Sequence, residues 1–214
     1  MEKADENVVI NLSNGGFMIP DIFAKKYQNC TIEYYIKANS LINWNNAYGP
    51  GWGTFYVHCN NDGSVCAGCT AQERLTSSAN TLVKDAWVHL SLVVEGNKMT
   101  LYKGSNVVGS YTSPNYSGVG GFGNLVFSTS GNAANDCSYD EIRIWDHART
   151  ASEIRKGYAR EFHGDVMPDG LLAYYKGDTF EKDGCVYLRD CVGGHHALLT
   201  NNNYKVEVLS LIHI

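Results

Sequence analysis

The sequence has no apolar run near the ~18 residues that a membrane-spanning helix needs, which excludes such a helix. Charge is also sparse: 18% of the 214 residues are charged and the formal net charge is -5, so there is neither a basic stripe to track a nucleic-acid backbone nor a long acidic tail. Nucleic acid is thereby excluded as a partner. The opening "MEKADENVV" holds no hydrophobic segment of the kind that directs secretion. No G-x-S-x-G elbow, H-E-x-x-H pair or phosphate-binding glycine loop occurs, which removes the commonest hydrolase, metalloprotease and nucleotide-binding signatures. Proline is scarce at 4, whereas glycine reaches 22 and tyrosine 14, a balance that suits many short strands joined by tight turns.

Alternation of apolar and polar residues carries the fold class. "CTIEYYIK" offers Ile32, Tyr34 and Ile36 to one face, and "AWVHLSLVVEG" offers Val88, Leu90, Leu92 and Val94. Both read as half-buried antiparallel strands. "EGNK" then supplies turn residues, "MTLYKG" and "SNVVGSY" extend a meander, and "GNLVFSTS" and "SYDEIRIW" close the series. One helix is signalled, by a Thr150–Glu153 capping box followed by Ile154, Tyr158 and Phe162 at four-residue spacing up to Gly164. Gly157 within it is expected to cost up to ~1 kcal/mol relative to alanine.

Seven cysteines leave at least one thiol free under any pairing. Cys59, Cys66 and Cys69 flank "NNDG", and a C-x2-C pair can share a zinc ion. A structural site needs four ligands, however, and His58, next to Cys59, would point to the opposite strand face. A disulfide somewhere in the chain and reduced packing thiols are the other readings; Cys185 and Cys191 bracket "VYLRD". His195 and His196, adjacent in a glycine-bearing loop, lack the spacing that aims two imidazoles at one ion.

"CTIEYYIKA", "DAWVHLSLVVEGNKMTLYKGSNVVGSY" and "YDEIRIWDHARTASEIR" together resemble the laminin G-like, concanavalin A-like lectin/glucanase superfamily, in the form common in bacterial surface proteins, over residues 15–162. The resemblance implies an all-β jelly-roll β-sandwich of two antiparallel sheets with one short helix towards the C-terminal side. Residues 1–164 are expected to form this domain. Residues 165–214, where "GLLAYYKGD" and "LRDCVGGHHALL" look like the start of such a domain, either complete the sandwich or open a second unit. "EVLSLIHI" has no turn or cap and resembles sequencing-adapter read-through, so the native chain is expected to be longer, as part of a multidomain protein.

Two stretches could carry function. Read at period two, Asp140, Ile142 and Ile144 share the buried face of their strand, which places a carboxylate in line with the core. Such a group needs partners. The resemblance implies calcium, with Asp140 and Asp178 as carboxylate ligands; the alternative is backbone N–H donors or an arginine. "LINWNNAYGPGWGTFY" reads as a long loop in which Trp44, Tyr48 and Trp52 give flat faces for a sugar ring while Asn45 and Asn46 give amide groups for its hydroxyls, or in which the aromatics fold back as a lid. Glycan hydrolases that share the fold alternate glutamate and aspartate as E-x-D-x-E, and that spacing is absent. The expectation is a non-catalytic binding module of a secreted or cell-surface protein, with a glycan or a cell-surface protein as partner. The alternatives are a structural or adhesion spacer and, behind it, a glycoside hydrolase.

Overall fold

Nineteen strands and one helix run through the described residues, which in this computed structural model are 7–51, 53–127, 135–162 and 166–209. The first strands are β1 (Asn7–Gly15), β2 (Phe17–Phe23), β3 (Lys26–Tyr27), β4 (Asn29–Ala38), β5 (Asn45–Gly51), β6 (Phe55–Cys59), β7 (Val65–Gly68) and β8 (Arg74–Thr76). Next come β9 (Trp87–Glu95), β10 (Lys98–Lys103), β11 (Asn106–Thr112), β12 (Val119–Gly120), β13 (Gly123–Phe127) and β14 (Asn135–Trp145). Helix α1 (Ala151–Gly157) is followed by β15 (Leu171–Tyr175), β16 (Thr179–Lys182), β17 (Cys185–Leu188), β18 (Ala197–Leu199) and β19 (Tyr204–Leu209).

The main sheet runs β11-β10-β9-β4-β14-β1-β19, with β15 also pairing β14. Facing it are a five-stranded sheet, β13-β2-β18-β17-β16, and a four-stranded sheet, β5-β6-β7-β8, which meet where β13 lies beside β5. The result is a jelly-roll β-sandwich. Its core takes the alternate residues read from sequence, Ile32, Tyr34 and Ile36 of β4 and Val88, Leu90, Leu92 and Val94 of β9, together with Phe17, Tyr48, Phe127 and Tyr139. Strands drawn from 166–209 pair inside the same sheets: β15 with β14, β18 with β2 and β19 with β1.

β14 departs from simple alternation. Asp140 pairs with Tyr35 of β4 and Arg143 with Glu33, so two residues of β14 oppose one of β4, and Glu141 takes a left-handed φ of 51°. This bulge falls where the other neighbour of β14 changes from β1 to β15. It shifts the period by one, so that Tyr139, Ile142 and Ile144 all enter the core and Asp140 turns to the outer face. The expectation that Asp140 shares the inner face is thereby corrected.

The outer face beneath α1 is also buried, and it is charged. Glu33 accepts from Trp145 Nε1 at 2.8 Å and Arg149 Nη1 at 2.5 Å, and Arg143 pairs with Glu141, which also accepts from the Tyr174 hydroxyl at 2.7 Å. The Arg143 guanidinium lies against both the Phe162 and Tyr174 rings, 4.6 and 5.2 Å from their centroids. Thr150 and Glu153 form the expected capping box. The helix nevertheless ends at Gly157, short of Phe162, because Arg143 takes the carbonyls of Gly157 at 2.7 Å and Arg160 at 2.5 Å, the groups that continued helix would use. Gly164, the expected stop, lies outside the described residues. Gly157 also has a positive role: a Cβ there would sit 2.8 Å from Arg149 Nη2.

Candidate functional site

The four-stranded sheet divides its residues by alternation. Tyr48, Phe55, Val57, Cys59, Val65, Ala67 and Leu75 enter the core, which leaves Tyr56, His58, Cys66, Gly68, Arg74 and Thr76 on the outward side. The register aligns them in two rows, Tyr56–Gly68–Arg74 and His58–Cys66–Thr76. Gly68 is required between its neighbours, since a Cβ there would meet Arg74 Cβ and Glu73 O at 2.4 Å. That gap lets the Arg74 side chain reach the Tyr56 hydroxyl, which itself donates to Thr70 O at 2.9 Å.

Trp44 covers the second row. Its φ is 69°, a left-handed conformation that costs a bulky L-residue on the order of 1–2 kcal/mol. It is held there by its N–H, which donates to Cys59 O at 2.9 Å, and by its ring, which lies 4.5 Å from that of His58 at 34°. His58 stacks in turn on Tyr56 at 5.3 Å and 17°. Trp44 remains 50% exposed above buried His58 and Tyr56. Burial, and then the Arg74 charge, push the His58 pKa down to about 4, so the imidazole is neutral at physiological pH. Alongside, Asn43 Oδ1 accepts from Asn61 N at 2.9 Å and fixes the approach to the turn. An exposed indole supported from below by two stacked rings, with a guanidinium at the end of the row, can bind a flat ligand with C–H and polar edges.

A family model for the concanavalin A-like lectin/glucanase superfamily, of laminin G type, matches residues 12–155. The chain belongs to the concanavalin A-like lectin/glucanase superfamily. No curated protein sequence matches it. Among solved structures it is similar to a candidate carbohydrate-binding protein from Bacteroides ovatus, with a TM-score of 0.77 at 16% identity over 96% of this chain; it spans 61% of that protein's length. It is also similar to a heptameric pentraxin from Limulus polyphemus, with a TM-score of 0.63 at 11% identity over 96% of this chain and 97% of that one. Domain 4 of an extracellular arabinanase from Geobacillus stearothermophilus, solved with arabinotriose, gives a TM-score of 0.57 at 16% identity over 69% of this chain and 75% of that one. At these identities the likeness is one of fold.

Within this lectin-type fold, β5 and β6 make a bulged hairpin where a long loop was expected, pairing at Asn45, Tyr48 and Gly51. Of the residues expected to meet a ligand, Trp44 alone among those described is exposed. Tyr48 is in the core, stacked on Phe127 at 4.8 Å. Asn45 and Asn46 are buried; Asn46 accepts from Asp136 N at 2.9 Å and anchors the hairpin to β14. Trp52 lies outside the described residues. Tyr56, His58 and Arg74 were missed as a group, although period two across "FYVHC" separates Tyr56 and His58 from the core-facing residues.

The structure does not assemble the expected calcium ligands. Asp140 is 2% exposed and accepts from Glu141 N at 2.8 Å, with Glu141, Glu161 and Arg143 as its charged surroundings. Asp178 is exposed, beyond Gly177, whose backbone packs on Val8. Among the described residues no three His, Cys, Asp or Glu side chains group to hold a metal, and the donors around Asp140 fit a hydrogen-bonded acid rather than an ion that takes six to eight oxygens. The cysteine cluster divides likewise: Cys59 and Cys69 join the core while His58 and Cys66 face outward, and all seven cysteines are free thiols.

Proposed function

We propose that the protein is a non-catalytic carbohydrate-binding domain that stacks a sugar ring on Trp44, and that it acts outside the cell or at its surface within a larger chain. One observation carries the reading: a half-exposed tryptophan is kept in a strained backbone conformation and laid on the buried His58 ring, where an ordinary turn would bury it or use a smaller residue. Strain held against relaxation is a common mark of a ligand contact. The carbohydrate-binding name of the Bacteroides structure and the arabinotriose bound to the arabinanase domain support the same ligand class. The outward residues of β6, β7 and β8 include no carboxylate, whereas sugar hydrolysis calls for a pair of them. The described residues contain no helix long and apolar enough to cross a membrane.

Glycan-array screening followed by calorimetry on a bound saccharide tests this. Trp44→Ala should weaken binding by roughly 1–3 kcal/mol, the size of one aromatic contact, while melting as the parent does. Binding that survives Trp44→Ala would refute the site, and a parent chain that binds no saccharide would favour a spacer or adhesion role.

A further inference from the structure

We propose that this platform selects saccharides that carry a carboxylate, the uronate class, and that Arg74 is the residue that reads the acid; the proposal rests on the glycan-binding reading above. Arg74 is the one charged side chain on the outward face of β6, β7 and β8. Its guanidinium has five N–H donors in a planar fork, matched to the two oxygens of a carboxylate. The Tyr56 hydroxyl engages part of that fork, and no carboxylate of the described residues lies within ion-pair distance of Arg74. Glu73, its neighbour in sequence, is occupied elsewhere by Ser113 Oγ and Asn115 Nδ2.

The spacing suits a single sugar unit. Tyr56, where the guanidinium rests, is two residues along β6 from His58, which carries Trp44, a separation of roughly 7 Å on a strand. A ring stacked on Trp44 would thus hold its exocyclic acid towards Arg74. His58, in the neighbouring row, is neutral, so among the outward residues of β6, β7 and β8 the positive charge is that of Arg74. The chain as a whole carries -5, which repels a polyanion at long range; the preference must come from the close contact itself.

The test is calorimetry of the full chain with oligogalacturonate, with its methyl ester, and with dextran sulfate as a control for diffuse charge. The acid should bind about tenfold tighter than the ester, the worth of one charge-assisted hydrogen bond. Arg74→Gln should abolish that ratio by weakening the acid far more than the ester; Arg74→Lys should restore it only in part, because the charge returns without the fork. Trp44→Ala should weaken both ligands. Equal affinity for acid and ester, a ratio that persists in Arg74→Gln, or dextran sulfate bound as tightly as the acid would each overturn the proposal and leave glycan binding standing. Failure to bind any saccharide would remove both.

Discussion

Asp140→Asn should stabilise the protein, and increasingly so as pH rises. Burial, and next the Glu141 carboxylate beside it, push the Asp140 pKa up to about 7, from a value near 4 in an unfolded chain. The folded state therefore holds a proton there that the unfolded chain has already released. A raised folded pKa gives a contribution that is complete below pH ~4 and lost as pH rises through ~7. At about 1.4 kcal/mol per unit the loss reaches roughly 3–4 kcal/mol by pH 8. Asparagine keeps an oxygen for the Glu141 N–H and carries no charge to desolvate. Thermal melts of parent and variant at pH 5, 6, 7 and 8 should show a gap that widens to the order of 5–15 °C at pH 8, given about 2–4 °C per kcal/mol at this size. His58 and His89, pushed down to about 4 and about 3, destabilise both proteins as pH falls below ~6.5, and that loss cancels in the comparison. A gap that is constant or narrows with rising pH, or a variant less stable at pH 8, would refute the reasoning.

Glu33 is wholly buried between Trp145 and Arg149, so Glu33→Met, which strands the Arg149 charge, should cost about 3–5 kcal/mol in urea unfolding. Adding Arg149→Met should recover most of that loss; a merely additive double variant would contradict the pairing. Gly157→Ala should destabilise by about 1–2 kcal/mol despite alanine's higher helix propensity, since its Cβ would displace the Arg149 guanidinium from Glu33; a gain in melting temperature would show that the guanidinium is free to move. Affinity for a neutral saccharide should stay flat between pH 5 and 8, because His58 is neutral throughout that window; a step in calorimetric titrations near pH 6.5 would contradict its burial.

Local pattern alone sets which faces of β4 and β9 turn inward and where α1 begins. A period of two with one buried side admits a single register, and a Thr150–Glu153 capping box is complete within four residues. Features that depend on a distant neighbour were decided by the tertiary structure. The bulge at Asp140–Glu141 arises where β14 exchanges β1 for β15, strands more than 150 residues apart in the chain. Tyr48 left the surface because its hairpin pairs over Phe127, and Arg74 joined Tyr56 only because Gly68 leaves room between them. Local pattern states which side of a strand is apolar; what covers that side, and which polar groups the other side gathers, depends on the strands that arrive beside it.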